Sequence, residues 1–305
     1  MAQKGYTNFP GGITSMGTPV TGVTSGEIYF VHKTGAAGNK GTASSPINSV
    51  NSALDKCTAN SGDIVYLMPG HTESIIDATS FLLDVAGVSV IGLGSGNDIP
   101  TISLTAAAGT IAFTAASVTL QNIKVLSAFT TGVTIGINVA ATADGANIIG
   151  VQMRETLATK EFLKWINIAT TVTDLVISGC TLHGIIAGSD ANAIFFAGSS
   201  TDALIENNVI FGDFSGDVID HNTTVPVSIR LLGNRIVNMD GGAAGDCISI
   251  KTAGTGYAFD NYGFYNKNDA TVFTGDAIVW DQNSANNTLA SSGILPHPAA
   301  VGAVP

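Results

Sequence analysis

The stretch Leu120-Gln121-Asn122-Ile123-Lys124-Val125 is the first of six segments of one form. The others are Ile148-Ile149-Gly150-Val151-Gln152-Met153, Ile177-Ser178-Gly179-Cys180-Thr181-Leu182, Ile205-Glu206-Asn207-Asn208-Val209-Ile210, Leu231-Leu232-Gly233-Asn234-Arg235-Ile236 and Phe259-Asp260-Asn261-Tyr262-Gly263-Phe264. Each reads apolar, any, Asn or Gly, any, any, apolar. Successive Asn or Gly positions lie 28, 29, 28, 26 and 28 residues apart, and Val90-Ile91-Gly92-Leu93 stands 30 residues before the first of them. A tight bend between two strands needs one residue in the left-handed conformation, which Gly adopts freely and Asn at small cost. The pattern predicts a strand, a bend and a second strand, repeated about every 28 residues.

A further strand recurs between the bends, at Thr110–Ala115, Val133–Val139, Phe162–Ala169, Ala193–Ala197, Asp217–His221, Cys247–Lys251 and Ala277–Asp281. So short a repeat cannot bury its own apolar face, so neighbours must stack. An all-β solenoid follows, with seven or eight coils and a length of about 35 Å at ~4.8 Å per coil. Leucine-rich repeats are the structural rival, but the segments lack their dense Leu spacing. Helical periodicity is nearly absent after residue 60, which argues against a globular α/β fold. The exception is Ser49–Ala59, where Val50, Ala53, Leu54 and Cys57 share a helical face suited to capping the open end of the solenoid. The charged stretch Arg154–Lys164 reads as a solvated loop or short helix bulging from the coils, or as a subunit contact. The solenoid is expected over residues 27–282, with an N-terminal arm at 1–26 and a C-terminal tail at 283–305.

Composition narrows the function classes. Charged residues make up 11% of the chain and the net charge is -11, with the 12 Lys and Arg scattered. Tracking a nucleic-acid backbone needs a positive footprint, so no nucleic-acid partner is expected. The uncharged stretch Ile99–Ile123 and a mean hydropathy of +0.34 suggest a membrane, but its apolar residues alternate with Thr and Ser, so no membrane span is expected. The N-terminus lacks the apolar run of a secretory signal. Cys57, Cys180 and Cys247 have no paired spacing and read as small buried hydrophobes of a reducing compartment, without metal or thiol chemistry.

The segment Glu27–Glu73 carries Ile28-Tyr29-Phe30-Val31, Gly38-Asn39-Lys40-Gly41-Thr42, Ser45-Pro46, the expected helix, and Gly62-Asp63-Ile64-Val65-Tyr66-Leu67-Met68-Pro69-Gly70-His71-Thr72-Glu73. It resembles the opening module of right-handed parallel β-helix proteins of the pectin-lyase-like superfamily. With the coils, the resemblance covers about 250 residues. It implies the fold and leaves the function open, since that fold hosts pectinolytic enzymes, phage tailspikes and non-catalytic virion proteins. The leader Asn8-Phe9-Pro10-Gly11-Gly12-Ile13-Thr14-Ser15-Met16-Gly17 resembles the openings of structural proteins of tailed bacteriophages.

Gly245-Asp246-Cys247-Ile248-Ser249-Ile250-Lys251 is similar to the aspartate-bearing motif of polygalacturonases. That family implies two adjacent aspartates, where this chain has Gly245 and Asp246, and a Gly-His-Gly one coil later, where Gly256–Asn266 holds no histidine. Its Asn-Thr-Asp is matched only by Asn222-Thr223-Thr224. An internal explanation competes: Gly216-Asp217-Val218-Ile219, Gly245-Asp246-Cys247-Ile248 and Gly275-Asp276-Ala277-Ile278 recur at steps of 29 and 30, as Gly-Asp bends whose carboxylates accept backbone hydrogen bonds. Stacking would set Asp217 about 5 Å from Asp246 and about 10 Å from Asp276, which brackets the carboxylate separations of glycosidases. Three stacked carboxylates also suit calcium. His221, beside Asp220, should point to the opposite face. Arg230 and Arg235 sit one to two strands from Asp217 and Asp246, with no second basic residue joining them, and Trp165 and Trp280 fall in strand patterns that can bury them.

The expected function is a non-enzymatic bacteriophage virion structural protein, a capsid decoration or cement protein made in the host cytoplasm. It would attach to the major capsid protein or other virion proteins through the N-terminal arm and pack side by side as a homotrimer, without cofactor or metal. The alternative is a tailspike-like or secreted polysaccharide-degrading enzyme using Asp217, Asp246 or Asp276, or a glycan-binding adhesin.

Overall fold

Alternating apolar and polar residues build strands with one face in and one face out. In the computed structural model, residues 14–15, 18–19, 26–186, 190–240, 245–266, 272–287 and 295–296 are described. The coils stack three strands each into three long parallel sheets. The first sheet runs through Ile28–Val31, Ile64–Leu67, Ser89–Gly92, Thr119–Gln121, Asn147–Ile149, Val176–Ser178, Leu204–Glu206, Ile229–Leu232, Gly256–Phe259 and Val279–Asp281. The second runs from Thr72–Ile75 through Lys124–Ser127, Thr181–His183 and Arg235–Asn238 to Ser284–Asn287, where Leu295–Pro296 adds antiparallel. The third comprises Leu82–Leu83, Ile111–Phe113, Val133–Val139, Phe162–Ile168, Asn192–Phe196, Ile219–His221, Ile248–Ile250 and Phe273–Thr274.

Register aligns the core. Leu120 pairs with Ile148, then Ile177, Ile205, Leu231 and Ala258, all fully buried, and this column packs against Val125, Met153, Leu182, Ile210 and Ile236 of the second sheet in one apolar core. Ile99–Ile123 forms strands of three successive sheets, and no helix among the described residues is long and apolar enough to cross a membrane.

The bend between first and second sheets falls at Asn122, Gly150, Gly179, Asn207 and Gly233, all left-handed with φ of 53–62°. In the next coil it falls at Asp260 (φ 51°), not at Asn261 as the sequence alignment has it. Asn261 belongs one position later, with Asn208, Asn234 and Asn283, which form a buried ladder. Each Oδ1 accepts the backbone N–H and the Nδ2–H of the preceding asparagine, and each Nδ2 also donates to a carbonyl of the coil before. The first rung receives the Cys180 N–H at 2.9 Å.

The predicted helix is shorter than its apolar spacing suggested. It is α1 (Val50–Leu54), capped by Ser49, whose Oγ accepts from Ser52 N–H, and it ends at Asp55. Val50, Ala53 and Leu54 are buried in the common core, while Cys57 lies beyond the helix and is half-buried. The charged stretch 154–164 is also not an insertion. Arg154 and Glu155 end one strand, Phe162–Lys164 begin another, and a turn closed by Leu157 and Lys160 joins them. Most of the predicted arm and tail lies outside the described residues; of the arm a small antiparallel pair is described, Thr14–Ser15 with Thr18–Pro19, while the coils run past 282, with Asn283 in the ladder, Ser284–Asn287 as a parallel strand of the second sheet and Leu295–Pro296 paired to it.

Candidate functional site: an acidic groove on the third sheet

Outward positions of the third sheet form a register column, Asn138, Asn167, Phe195, Asp220, Ser249 and Thr274. Toward its C-terminal end the sheet borders an open groove of about 500 Å³ lined by Asp217, Asn222, Asp246, Ser249, Thr252, Thr274 and Asp276. The three predicted aspartates therefore share one groove.

Only two of them stack. Ile219 pairs with Ile248, which sets Asp217 beside Asp246 on adjacent coils, and Asp217 Oδ1 accepts the Asp246 N–H at 2.7 Å. The next step is shorter: Ile248 pairs with Phe273 and Ser249 with Thr274. Asp276 thus follows the third-sheet strand instead of preceding it, and the predicted strand Ala277–Asp281 lies in the first sheet as Val279–Asp281. The Gly-Asp recurrence at 275 is a coincidence of sequence. Gly275 has a φ of 148°, whereas a Cβ on Gly245 would stand 2.5 Å from the Gly216 carbonyl. The same close approach excludes the second aspartate of the polygalacturonase pair at position 245.

A fourth acid, Asp220, stands in the outward column beside Ser249, which lines the groove. Its Oδ1 accepts the Asn222 N–H at 2.9 Å and its Oδ2 lies 3.4 Å from Asn192 Nδ2. Burial raises its carboxyl above the ordinary range; the Asn222 bond opposes the rise, Asp217 adds to it and Lys164 opposes it. The Lys164 ammonium lies 3.5 Å over the ring of Phe195, which pairs with Asp220, and its charge acts on that carboxyl. Arg230 and Arg235, the sequence-based candidates, stand on the first and second sheets. A signal for Lys164 existed in the 28-residue step to Asn192, but it needed the register to be read.

The other candidates serve the fold. His221 points inward, stacked 4.2 Å from Phe196, with Nε2 2.9 Å from Ser200 Oγ and Nδ1 3.0 Å from the Thr224 carbonyl, and burial pushes its pKa down to about 4. Trp165 is fully buried between Phe162 and Phe214, and the half-buried Trp280 stacks on Phe273. Burial pushes the Cys57 and Cys180 thiols up to about 12, so neither is a thiolate at neutral pH. Among the described residues no group of three or more His, Cys, Asp or Glu is arranged to hold a metal ion. A second acid pair lies inside the fold. Glu155 accepts the Phe162 and Ile185 N–H groups, and the fully buried Asp190 converges with it over Gly184, where a Cβ would stand 3.1 Å from Asp190 Oδ2 and 3.3 Å from Glu155 Oε2.

No protein-family model matches the chain, and no curated protein matches it. Among solved structures it is similar to a rhamnogalacturonan lyase, with a TM-score of 0.50 and 12% identity over 89% of this chain and 90% of that one. The fold is a parallel β-helix. Other pectin-lyase-like structures similar to it are the pectin methylesterase from Aspergillus niger, with a TM-score of 0.49 and 14% identity over 92% and 95% of the two chains, and the Dettilon tailspike protein, with a TM-score of 0.35 and 14% identity over 83% and 59%. At these identities the likeness concerns the β-helix itself, and what this β-helix does has to be argued from its groove.

Proposed function

We propose that this chain is a tailspike-like β-helix that binds and cleaves a carbohydrate polymer in the acidic groove of its third sheet. The observation that carries the reading is the gathering of Asp217, Asp246 and Asp276, with Asp220 alongside, around one open groove whose remaining polar wall is hydroxyls and an amide. Such donors and acceptors match sugar hydroxyls, and glycosidic cleavage needs one protonated and one ionised carboxyl. Asp220, raised by burial, holds the proton for the leaving oxygen. Asp246 serves as the ionised partner, and Asp217 fixes the Asp246 backbone through its 2.7 Å bond. Lys164 offers a cation for an acidic sugar. The phage origin rests on the resemblance of the leader 8–17.

A second reading, a non-enzymatic capsid decoration protein attached through residues 1–26, draws on two observations. Asp217 is committed to a backbone bond, and Asp276 stands out of the stack. Incubation with acidic polysaccharides, scored by new reducing ends, separates the readings. Cleavage should fall about 10²-fold or more in Asp220→Asn and Asp246→Asn with binding retained. Binding without cleavage would make the chain an adhesin. Neither activity, with co-sedimentation on virus particles at capsid stoichiometry, would establish the decoration role.

A further inference from the structure

We propose that a second groove, at the corner ahead of the first sheet, binds a neutral sugar unit of a carbohydrate polymer and is separate from the acidic groove of the third sheet. Such a site rests on the carbohydrate reading of the chain and needs no cleavage. The corner builds it from one position per coil. Asp174, Asp202 and Ser228 are the left-handed residues that lead into three successive strands of the first sheet, with φ of 52°, 55° and 56°. Repetition sets their exposed side chains in a row at a step of about 4.8 Å. With Arg230, Thr255 and Tyr257 they line an open groove of about 490 Å³.

Charge is gathered in this groove without being consumed. Arg230 shares it with two aspartates, yet among the described residues no ion pair joins it to either, and its Nη2 donates only to the Asp202 carbonyl at 3.4 Å. No hydrogen bond from a described residue reaches the Asp174 or Asp202 carboxylate. A carboxylate offers two oxygens to neighbouring hydroxyls, and a guanidinium offers a planar fork of donors. The groove therefore presents acceptors and donors together, as a polyhydroxylated ligand requires.

An aromatic wall completes it. Tyr257 pairs with Arg230 across the sheet and is 36% exposed. Its ring lies at 12° to that of Phe259, with 6.0 Å between centroids. Both point outward from the strand Gly256–Phe259, so Phe259 backs one face of Tyr257 and the opposite face fronts Thr255 and the groove. The C–H face of a pyranose covers such a ring while its hydroxyls reach the polar groups beside it. The signs of charge select the ligand. Two carboxylates one coil apart repel an acidic sugar, Arg230 repels a cationic one, and a neutral sugar meets neither penalty. An extended peptide cannot add here as a strand, because the strands behind the groove are hydrogen-bonded on both sides. One sugar unit in so open a groove should bind with a Kd on the order of 1 mM, which many units along one polymer raise by avidity.

Saturation-transfer NMR of the full chain with the methyl glycosides of glucose, galactose and mannose tests the site. At least one should receive saturation, strongest on the protons of one ring face. Tyr257→Ala and Asp202→Ala should each weaken that binding about tenfold, Tyr257→Trp should retain it, and Asp246→Asn in the third-sheet groove should leave it unchanged, with circular dichroism confirming the β-sheet of every variant. Methyl galacturonide should bind more weakly than methyl galactoside. No saturation of any of the three neutral sugars, saturation that survives Tyr257→Ala, loss in Asp246→Asn, or a preference for the galacturonide would overturn the site. Absence of polymer cleavage would count against the third-sheet chemistry alone and leave this binding result standing.

Discussion

Gly179 and Asn207 fill the same bend in successive coils, with φ of 62° and 53°, because one residue there must be left-handed, which Gly adopts freely and Asn at small cost. Space is not limiting at Gly179, where an added Cβ would meet nothing within 4 Å, so backbone strain alone sets the cost of a side chain. Gly179→Asn should leave urea stability within about 0.5 kcal/mol of wild type, whereas Gly179→Val should lose about 1–2 kcal/mol. Equal losses in both variants would mean that crowding, not φ, selects glycine. This bend was legible because left-handed φ restricts residue type. Its counterpart ahead of the first sheet was not, since Ser117, Gly145, Asp174, Asp202 and Ser228 share left-handed φ but few chemical features. There backbone bonds such as Asp174 N–H to the Thr201 carbonyl hold the turn.

Between neighbouring coils, the asparagine ladder is where side-chain chemistry replaces apolar stacking. The same column holds Ile123, Val151 and Cys180 in earlier coils and Asn208, Asn234, Asn261 and Asn283 in later ones. Asn234→Ala would remove the partner of Asn208 N–H and the amide donor to the Ile205 carbonyl, and would take one of two bonds each from Asn208 Nδ2 and Asn261 Oδ1, all at buried positions. Each lost partner costs about 1 kcal/mol or more, so the variant should unfold about 3 kcal/mol more easily, seen as a lower urea midpoint. A loss under about 1 kcal/mol would show that water enters and replaces the amide. Misplacing Asn261 hid this ladder from sequence reading, because Asn fits both the bend and the rung. Strand existence and the approximate period were readable from alternation. The shortened step from Ile248 to Phe273 was not, since parallel register is set by pairing between distant residues, and Asp276 was misplaced with it. Asp220 escaped notice for a related reason: its raised carboxyl depends on burial and on Asp217, neither of which spacing reveals.

Across the whole molecule, two buried titrating sites pull stability in opposite directions with pH. His221 has a pKa of 6.5 when unfolded and about 4 when folded, so its contribution is complete above pH 6.5 and is lost as pH falls toward 4. Asp190 and Glu155 behave inversely. Burial raises both carboxyls; the Glu155 charge raises Asp190 further, and Glu161 is the charged neighbour that adds to the rise of each. The folded pair therefore keeps protons that the unfolded chain releases, and its contribution is complete below about pH 4 and declines as pH rises. Urea midpoints should accordingly drop between pH 7.5 and pH 8.5, a range in which His221 no longer contributes a slope. Asp190→Asn removes a proton that folding must retain, so it should flatten that decline while leaving the acid limb intact. A wild-type curve already flat from pH 7.5 to 8.5 would mean that the pair is ionised and hydrated within the fold. A decline that persists in Asp190→Asn would place its origin in Glu155 alone, whose carboxyl remains enclosed by the Phe162 and Ile185 amides.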